Sequence, residues 1–294
     1  MDIVAMKRFG GVLAALCLLA GWGGVSTTAR AASLVADFNG DGINDTAIFT
    51  PGSGAVTIAR GGGGTTSYTV PSNWFSFNAV ETNAVAGQEL IATCPDGAVW
   101  VIDDRANTRR SYTVPPVTSS GRIVYFSELN AIAGNEIAFV YGDGPVWVID
   151  DRAYTRRSYT VPAVGSGRNV YLTDLNGIAG NEIGFAYGDG GVWVIDDRAY
   201  TRRSYTVPAV GTGRYVAVAE FNGIAGNEMM FSYPGGQTWV VDDRIYGRRS
   251  YSYPTNGAAP TYANVDGVAG LEAIFTYGAS KVWVVDRTNS WSYH

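Results

Sequence analysis

A repeated stretch of sequence constrains the fold of this chain more than any other feature. Residues 144–162 recur almost letter for letter as residues 190–208, looser copies begin at Gly97 and Gly236, and a shorter copy begins at Ser280. The copies carry equivalent tryptophans at Trp100, Trp147, Trp193, Trp239 and Trp283. Self-similarity at a period of about 20–50 residues is the signature of repeat architectures, in which each repeat is one supersecondary unit.

An acidic residue gives each repeat a second fixed point. The glutamates that precede the tryptophans are Glu89, Glu136, Glu182, Glu228 and Glu272. Asp45 lies 44 residues before Glu89 and belongs to a sixth, more divergent copy, in which residues 55–58 replace the tryptophan strand. The predicted repeats are approximately 34–71, 72–116, 117–162, 163–208, 209–254 and 255–294.

The residue pattern within one repeat predicts four strands. Residues 182–187 and 192–195 are apolar on both faces, as in strands that are covered on both sides, and the Gly-rich turn between them predicts a hairpin. Residues 203–207 alternate and end at Pro208, which is tolerated at a sheet edge but not in its centre, whereas residues 169–174 form the first strand. We therefore expect an all-β, six-bladed β-propeller of four-stranded antiparallel blades, each a continuous segment with its tryptophan in the core between blades.

The N-terminus predicts export. Lys7 and Arg8 precede an apolar run and then Ala29-Arg30-Ala31, which is the order of a secretory signal peptide occupying residues 1–31. The alternative is an uncleaved membrane anchor, for which the run is short. The expected mature protein is residues 32–294, secreted to the extracellular space or periplasm, with no later stretch able to span a membrane.

Charge limits the kinds of partner expected for the mature chain, and cysteine content limits its possible disulfides. Cleavage would leave a net charge of about −7 and a single lysine, Lys281, which argues against nucleic acid as a main partner. Cys94 would be the only cysteine, so no internal disulfide is expected. The fold must therefore be held together by packing.

The first repeat contains a candidate metal loop. Side-chain oxygens occur at Asp37, Asn39, Asp41 and Asp45, and the Ile43 carbonyl lies between the last two. Calcium prefers six to eight oxygen ligands, and three carboxylates plus an amide on a tight loop supply most of them. We expect one Ca²⁺ bound by these five residues; the alternative is a turn stabilised by its own Asp and Asn side chains.

This loop, its place between two strands, and the repeat length resemble FG-GAP/VCBS-type propellers, the group that includes the head of the integrin alpha subunit. The chain as a whole resembles a secreted protein of bacterial type. The resemblance implies calcium loops on one face of the ring and binding to proteins or carbohydrates outside the cell. The metal motif is complete only in the first repeat, because the central Asp41 is replaced by an aliphatic residue in the others. These aliphatic residues, which we expect to turn inward in place of the ion, are Val85, Ile132, Ile178, Ile224 and Val268.

A second candidate site lies in the repeated Asp-Asp-Arg turns. The opposite charges around each turn suggest ion pairs across a hairpin, and exposed pairs of this kind contribute only about 0–1 kcal/mol each. The functional alternative is a repeated ligand site, in which arginine and carboxylate groups bind sugar hydroxyls and tyrosine rings stack on the sugar. Its candidate residues are Asp151, Arg152, Tyr154, Arg156, Asp197, Arg198, Tyr200 and Arg202.

The composition favours a binding protein over an enzyme. The only histidine is His294, and the acidic residues recur with the repeat, whereas catalytic acid pairs are usually singular. The leading prediction is a secreted, calcium-stabilised propeller that binds carbohydrate in a lectin-like or adhesive role. The alternative is a scaffold that binds an extracellular protein through the same loops.

Overall fold

The computed structural model describes residues 32–294 except 51, 75, 164–166 and 211–212. The predicted signal peptide lies outside the described residues. Within the described part of the chain, no helix is long and apolar enough to cross a bilayer.

The described residues form 24 strands and one short 3-10 helix, Asp286–Thr288. Blades one to three contain β1 (Ala32–Ala36), β2 (Asp45–Thr50), β3 (Ala55–Ala59), β4 (Thr65–Thr69), β5 (Ser76–Val80), β6 (Glu89–Thr93), β7 (Ala98–Asp103), β8 (Thr108–Thr113), β9 (Arg122–Ser127), β10 (Glu136–Tyr141), β11 (Pro145–Asp150) and β12 (Thr155–Thr160). Blades four to six contain β13 (Arg168–Thr173), β14 (Glu182–Tyr187), β15 (Gly191–Asp196), β16 (Thr201–Thr206), β17 (Tyr215–Ala219), β18 (Glu228–Tyr233), β19 (Gln237–Asp242), β20 (Gly247–Ser252), β21 (Thr261–Ala263), β22 (Glu272–Tyr277), β23 (Ser280–Val285) and β24 (Ser290–Tyr293).

The strands form six separate four-stranded antiparallel sheets, each made of four consecutive strands. The second and third strands are central in every sheet, and the fourth strand is an edge, as the Pro-terminated pattern predicts. The all-β, six-bladed propeller with four-stranded blades is therefore confirmed. Each blade is one continuous segment, so no strand is exchanged between the first and last blades.

The hydrophobic core consists of layers between consecutive blades. The second strands β10 and β14 are buried on both faces, because each blade is covered by a neighbour on either side. Between blades three and four, for example, Val140 and Val148 pack with Ile183 and Phe185. Comparable clusters join blades one to two, two to three, four to five and five to six.

Four of the five repeated tryptophans pack against the preceding blade, as predicted. Trp100, Trp147, Trp193 and Trp239 each pack against the cluster shared with that blade. Trp283 differs because the register of the central hairpin in blade six is shifted: Ala273 pairs with Val284, whereas the equivalent Leu90 pairs with Ile102. A slip of one residue moves every side chain of a strand to the opposite face, so Trp283 faces away from blade five.

A buried aspartate also joins consecutive blades. Asp197 of blade four is nearly fully buried, accepts a hydrogen bond of 2.6 Å from the Tyr159 hydroxyl of blade three, and lies 3.3 Å from Nη1 of Arg157. We call this Tyr–Arg–Asp contact the blade latch. The aspartates that hold the five latches are Asp104, Asp151, Asp197, Asp243 and Asp286. The predicted ion pairs across the hairpin turns are thus mostly replaced by ion pairs between blades.

Blades one and six lack the parts that would form a sixth latch. The strand pairings align Asp104 of blade two with Gly61 of blade one, and, with the shifted register of blade six, Arg249 of blade five with Ser292. In the other blades, one face of the sheet packs against the preceding blade. On the corresponding face of blade one, Val35 and Ile48 are 60% and 40% exposed. No hydrophobic cluster of the described residues joins blade six to blade one.

The second strand of each of blades two to six begins with a buried glutamate. In Glu182, Oε2 accepts the Leu175 amide at 2.6 Å and Oε1 accepts the Asn176 side chain at 2.5 Å, which closes the preceding loop. Burial raises the pKa of Glu182 and Glu228 to about 8, and that of Glu89 and Glu136 to about 7. These carboxyl groups are therefore more stable in the folded protein when they are protonated.

The latch predicts a stability difference between two tyrosines. Tyr159→Phe removes the hydroxyl donor to buried Asp197 and should lower the free energy of unfolding by about 1–3 kcal/mol. Tyr154→Phe is the matched control, because this ring is exposed and should leave stability unchanged. Urea denaturation measures both variants, and equal midpoints would contradict the stabilising role of the latch.

The glutamates predict that stability falls with rising pH. Their folded pKa lies above the ordinary value of 4.5, so the folded state binds more protons than the unfolded state, and their contribution is lost as pH rises through about 7–8. The melting temperature should therefore decrease from about pH 5 to about pH 8. The double variant Glu182→Gln/Glu228→Gln should flatten this dependence. Asp143→Asn, which neutralises an exposed loop carboxylate, should leave the pH dependence unchanged. An equal slope of melting temperature against pH in the unaltered protein and both variants would refute the assignment.

Candidate ligand-binding grooves

Three tyrosines project from the turns between the third and fourth strands. Tyr154, Tyr200 and Tyr246 are 60–62% exposed and have φ angles of 54–55°. This left-handed conformation costs a residue other than glycine roughly 1–2 kcal/mol, and asparagine adopts it more readily. Asn107 and Asn289 occupy the same turn position in blades two and six, with φ angles of 51° and 53°. Blades three to five thus place a large exposed ring where the backbone favours a small residue.

Each exposed ring lies at the boundary with the preceding blade. Tyr200 contacts the latch tyrosine Tyr159 at a centroid distance of 5.4 Å and an interplanar angle of 59°. The guanidinium of Arg157, which also belongs to the latch, lies 5.6 Å from the centre of the Tyr200 ring. Tyr154 and Tyr246 repeat this arrangement with ring distances of 5.3 and 5.5 Å.

A groove runs beside the exposed ring between blades four and five. It is lined by Ser204, Tyr205 and Thr206 of β16 together with Tyr246 and Arg248 of blade five. The guanidinium of Arg248 lies 5.2 Å from the ring of Trp239 and donates a hydrogen bond to the Thr206 carbonyl. The groove therefore presents an aromatic face, a fixed guanidinium and two hydroxyl-bearing residues.

The predicted residues Tyr200 and Arg202 are arranged in the same way one blade earlier. Arg202 lies over Trp193 at 4.8 Å and donates to the Thr160 carbonyl of blade three. In blade three, Arg156 lies over Trp147 at 4.7 Å, near the exposed Tyr154. The structure thus brings these tyrosines and arginines together at blade boundaries.

The other predicted residues have different positions. Asp151 and Asp197 are buried behind the turns, where they hold the latches. Burial raises the pKa of both carboxyl groups, while the tyrosine hydroxyl and the arginine oppose that shift. Arg152 is exposed, and Nη2 of Arg198 lies 3.9 Å from Asp196.

The sequence analysis predicted only the residues that one of the two neighbouring blades contributes to each groove. Tyr246 and Arg248 are equivalents of Tyr200 and Arg202, so the repeat period itself identifies them. The serine, tyrosine and threonine of the preceding fourth strand could not be assigned in this way, because the period does not show which edge of a blade meets its neighbour.

The predicted calcium loop is held by hydrogen bonds from backbone amides. Asp45 is fully buried, with Oδ2 accepting the Phe38 amide and Oδ1 accepting the Gly61 amide, each at 2.9 Å. Asp37 accepts the Gly40 and Gly42 amides, at 2.7 and 2.9 Å. In the described ranges, no three Asp, Glu, His or Cys side chains converge into a metal site. The calcium prediction therefore rests on the sequence motif.

The expectation that aliphatic residues turn inward in the other loops is wrong. Val85, Ile132, Ile178, Ile224 and Val268 are 42–53% exposed. They need not fill an ion's position, because Asn and Glu side chains hold these loops: the Ile178 amide, for example, donates to Oδ1 of Asn176 at 2.8 Å.

Comparisons with known proteins find similarity of structure but not of sequence. No family model and no curated protein matches the chain. The resemblance to FG-GAP/VCBS propellers therefore stays a prediction from the loop and repeat length.

Solved structures align with most of the chain at low identity. An Agrocybe aegerita lectin that recognises non-reducing terminal N-acetylglucosamine is 13% identical, with 91% of this chain and 80% of that chain covered and a TM-score of 0.44. BamB from Moraxella catarrhalis is 12% identical, with coverages of 91% and 78% and a TM-score of 0.41. Virginiamycin B lyase from Staphylococcus aureus is 15% identical, with coverages of 90% and 88% and a TM-score of 0.38. Likenesses this distant carry no argument about function, and the propeller assignment stands on the six sheets.

Melting the mature protein with calcium and with EDTA tests the metal prediction. The sequence motif predicts that calcium raises the melting temperature and that Asp41→Ala, which removes the central ligand, abolishes the rise. Identical melting curves of the unaltered protein in both conditions would mean that the amide–carboxylate hydrogen bonds alone hold the loop.

Proposed function

We propose that this chain is an exported, non-enzymatic binding protein whose inter-blade grooves bind carbohydrate. One observation carries the proposal: Tyr154, Tyr200 and Tyr246 hold exposed rings in a left-handed conformation, whereas Asn107 and Asn289 hold the equivalent turns. Strained backbone persists where the surrounding structure enforces it, and it clusters at ligand sites. A binding role accounts for an exposed ring at a position where asparagine would suit the backbone better.

The chemistry of the groove suits a sugar. A pyranose presents an apolar face of C–H groups, which can stack on the exposed Tyr246 ring. Its hydroxyls can accept hydrogen bonds from Arg248 and exchange them with Ser204 and Thr206. Arg248 is held by Trp239 and the Thr206 carbonyl, so little side-chain entropy is lost when a ligand binds.

Repetition supports the same role. Three consecutive blades carry the tyrosine, and linked weak sites can raise overall avidity by about 10²–10⁴ without new contacts. Surface glycans offer repeated sugars that match such an array. The predicted signal peptide would deliver the protein to where such glycans occur.

A glycan array with the mature protein tests the proposal. The triple variant Tyr154→Asn/Tyr200→Asn/Tyr246→Asn removes the rings but keeps a residue that the chain itself uses in this turn. We expect the unaltered protein to bind a set of glycans and the variant to bind them at least about 10-fold more weakly, since aromatic contacts and avidity are both lost.

The triple Tyr→Phe variant is the control, because it keeps the rings and should keep most of the binding. Binding that is unchanged in the Tyr→Asn variant would remove the grooves as the site. An array without hits, together with a protein partner captured in the presence of free sugars, would replace the proposal with a protein-binding scaffold.

A further inference from the structure

Three arginines recur at the opposite end of the blades from the tyrosine grooves. Arg122, Arg168 and Arg214 lie at or beside the start of the first strand in blades three, four and five. That end of each sheet also carries the hairpin between the second and third strands, whereas the tyrosine turns follow the third strand. The two sets of residues occupy the same three blades but different faces of the propeller.

Each of these arginines is held in the same way, by a backbone carbonyl and by aromatic rings. Nη2 of Arg168 donates to the Tyr141 carbonyl of blade three at 3.0 Å, and its guanidinium lies 5.4 Å from the ring centre of Phe185. Arg214 donates to the Tyr187 carbonyl at 3.1 Å and lies 5.0 Å from Phe231. These contacts fix the guanidinium plane before any ligand arrives.

The remaining terminal nitrogen of each arginine has no assigned role. Nη1 of Arg122, Arg168 and Arg214 is buried and makes no well-aligned hydrogen bond among the described residues. Each arginine nevertheless lies close to a tyrosine hydroxyl and opposes the rise of its pKa that burial causes; these tyrosines are Tyr141, Tyr187 and Tyr233. A buried donor on a charged group is costly when it is left unpaired, and such a group calls for a specific explanation. The same unpaired atom in three consecutive blades is a repeated feature of the fold.

Two of these arginines line one cavity. Between blades four and five, Arg168 and Arg214 lie around a pocket together with Asn169, Gly188 and Val216. Asp189 follows Gly188, and its Oδ1 accepts the Gly191 amide at 3.0 Å within the hairpin. The pocket thus combines two fixed guanidinium groups and an amide side chain.

We propose that this pocket binds an oxyanion, the carboxylate or phosphate group of a small ligand. Guanidinium groups match the paired oxygens of such anions, and charge-assisted hydrogen bonds are roughly twice as strong as neutral ones. An anion between Arg168 and Arg214 would offset the charge of the two guanidinium groups that line the pocket. The site is separate from the tyrosine grooves and does not depend on them.

Isothermal titration of the mature protein with galacturonate, galactose and inorganic phosphate tests the proposal. We expect binding of galacturonate, phosphate or both, and at least about 10-fold weaker binding of that anion by Arg214→Gln, which removes one of the two charged donors. Galacturonate alone would identify a carboxylate as the ligand group, and phosphate alone would identify a phosphoryl group. Galactose is the uncharged counterpart of galacturonate. Any binding of galactose is therefore assigned to the tyrosine grooves and subtracted from the binding of galacturonate.

Two further variants keep the outcome interpretable. Arg152→Gln makes the same change of charge at an exposed turn on the other face and should bind the anions as the unaltered protein does. Arg214→Lys keeps the charge but loses the guanidinium fork, and it should also bind more weakly while its circular dichroism spectrum stays unchanged. The proposal fails if neither anion binds, if Arg214→Gln binds normally, or if Arg152→Gln loses binding to the same extent.

Discussion

The structure depends on a carboxylate that is buried at each described blade latch. Asp197 has almost no exposed surface, yet it is not isolated, because Tyr159 and Arg157 of the preceding blade both donate to it. Removing a charge from water is tolerated only when it is paired and hydrogen-bonded. This requirement sets the position of each blade relative to the next, since either donor placed elsewhere would leave the carboxylate unsatisfied. The hydrophobic layers stabilise the packing of neighbouring blades, whereas the latch specifies how these blades are aligned.

One short turn serves three purposes. In blade three, the first aspartate of the turn, Asp150, accepts the Ala153 amide at 2.9 Å and closes the turn. The second, Asp151, holds the latch to blade two. Tyr154, three residues after Asp151, has a left-handed backbone conformation, which directs its ring outward. The exposed ring is thus positioned by the same contacts that join the blades, and a ligand at the groove would touch two blades together.

The repeat pattern was sufficient to predict the architecture, but not the contacts between units. The period, the doubly apolar strands and the edge proline of Pro208 each follow from burial and backbone chemistry, and all agree with the observed sheets. The partner of Arg157 could not be predicted, because a period identifies equivalent residues without showing which neighbouring unit they face. The register shift at Trp283 follows from a shorter loop in the central hairpin of blade six, where Tyr277 pairs with Ser280. The similarity between the repeats does not reveal this difference. The unpaired arginine nitrogens are likewise visible only once the chain is folded.

The directional form of the latch has a consequence for how this molecule could have arisen. Every inner blade carries donors on one side and an acceptor on the other, so a copied blade can be inserted between two others and satisfy both. Blades three and four, which are almost identical in sequence, have the character of such a duplication. Blade one lacks the acceptor at Gly61 and blade six lacks the arginine at Ser292, so neither would fit in the middle of the series. Growth by gene duplication would therefore be confined to the interior blades, and three of these, blades three to five, carry the exposed tyrosines and the recurring arginines.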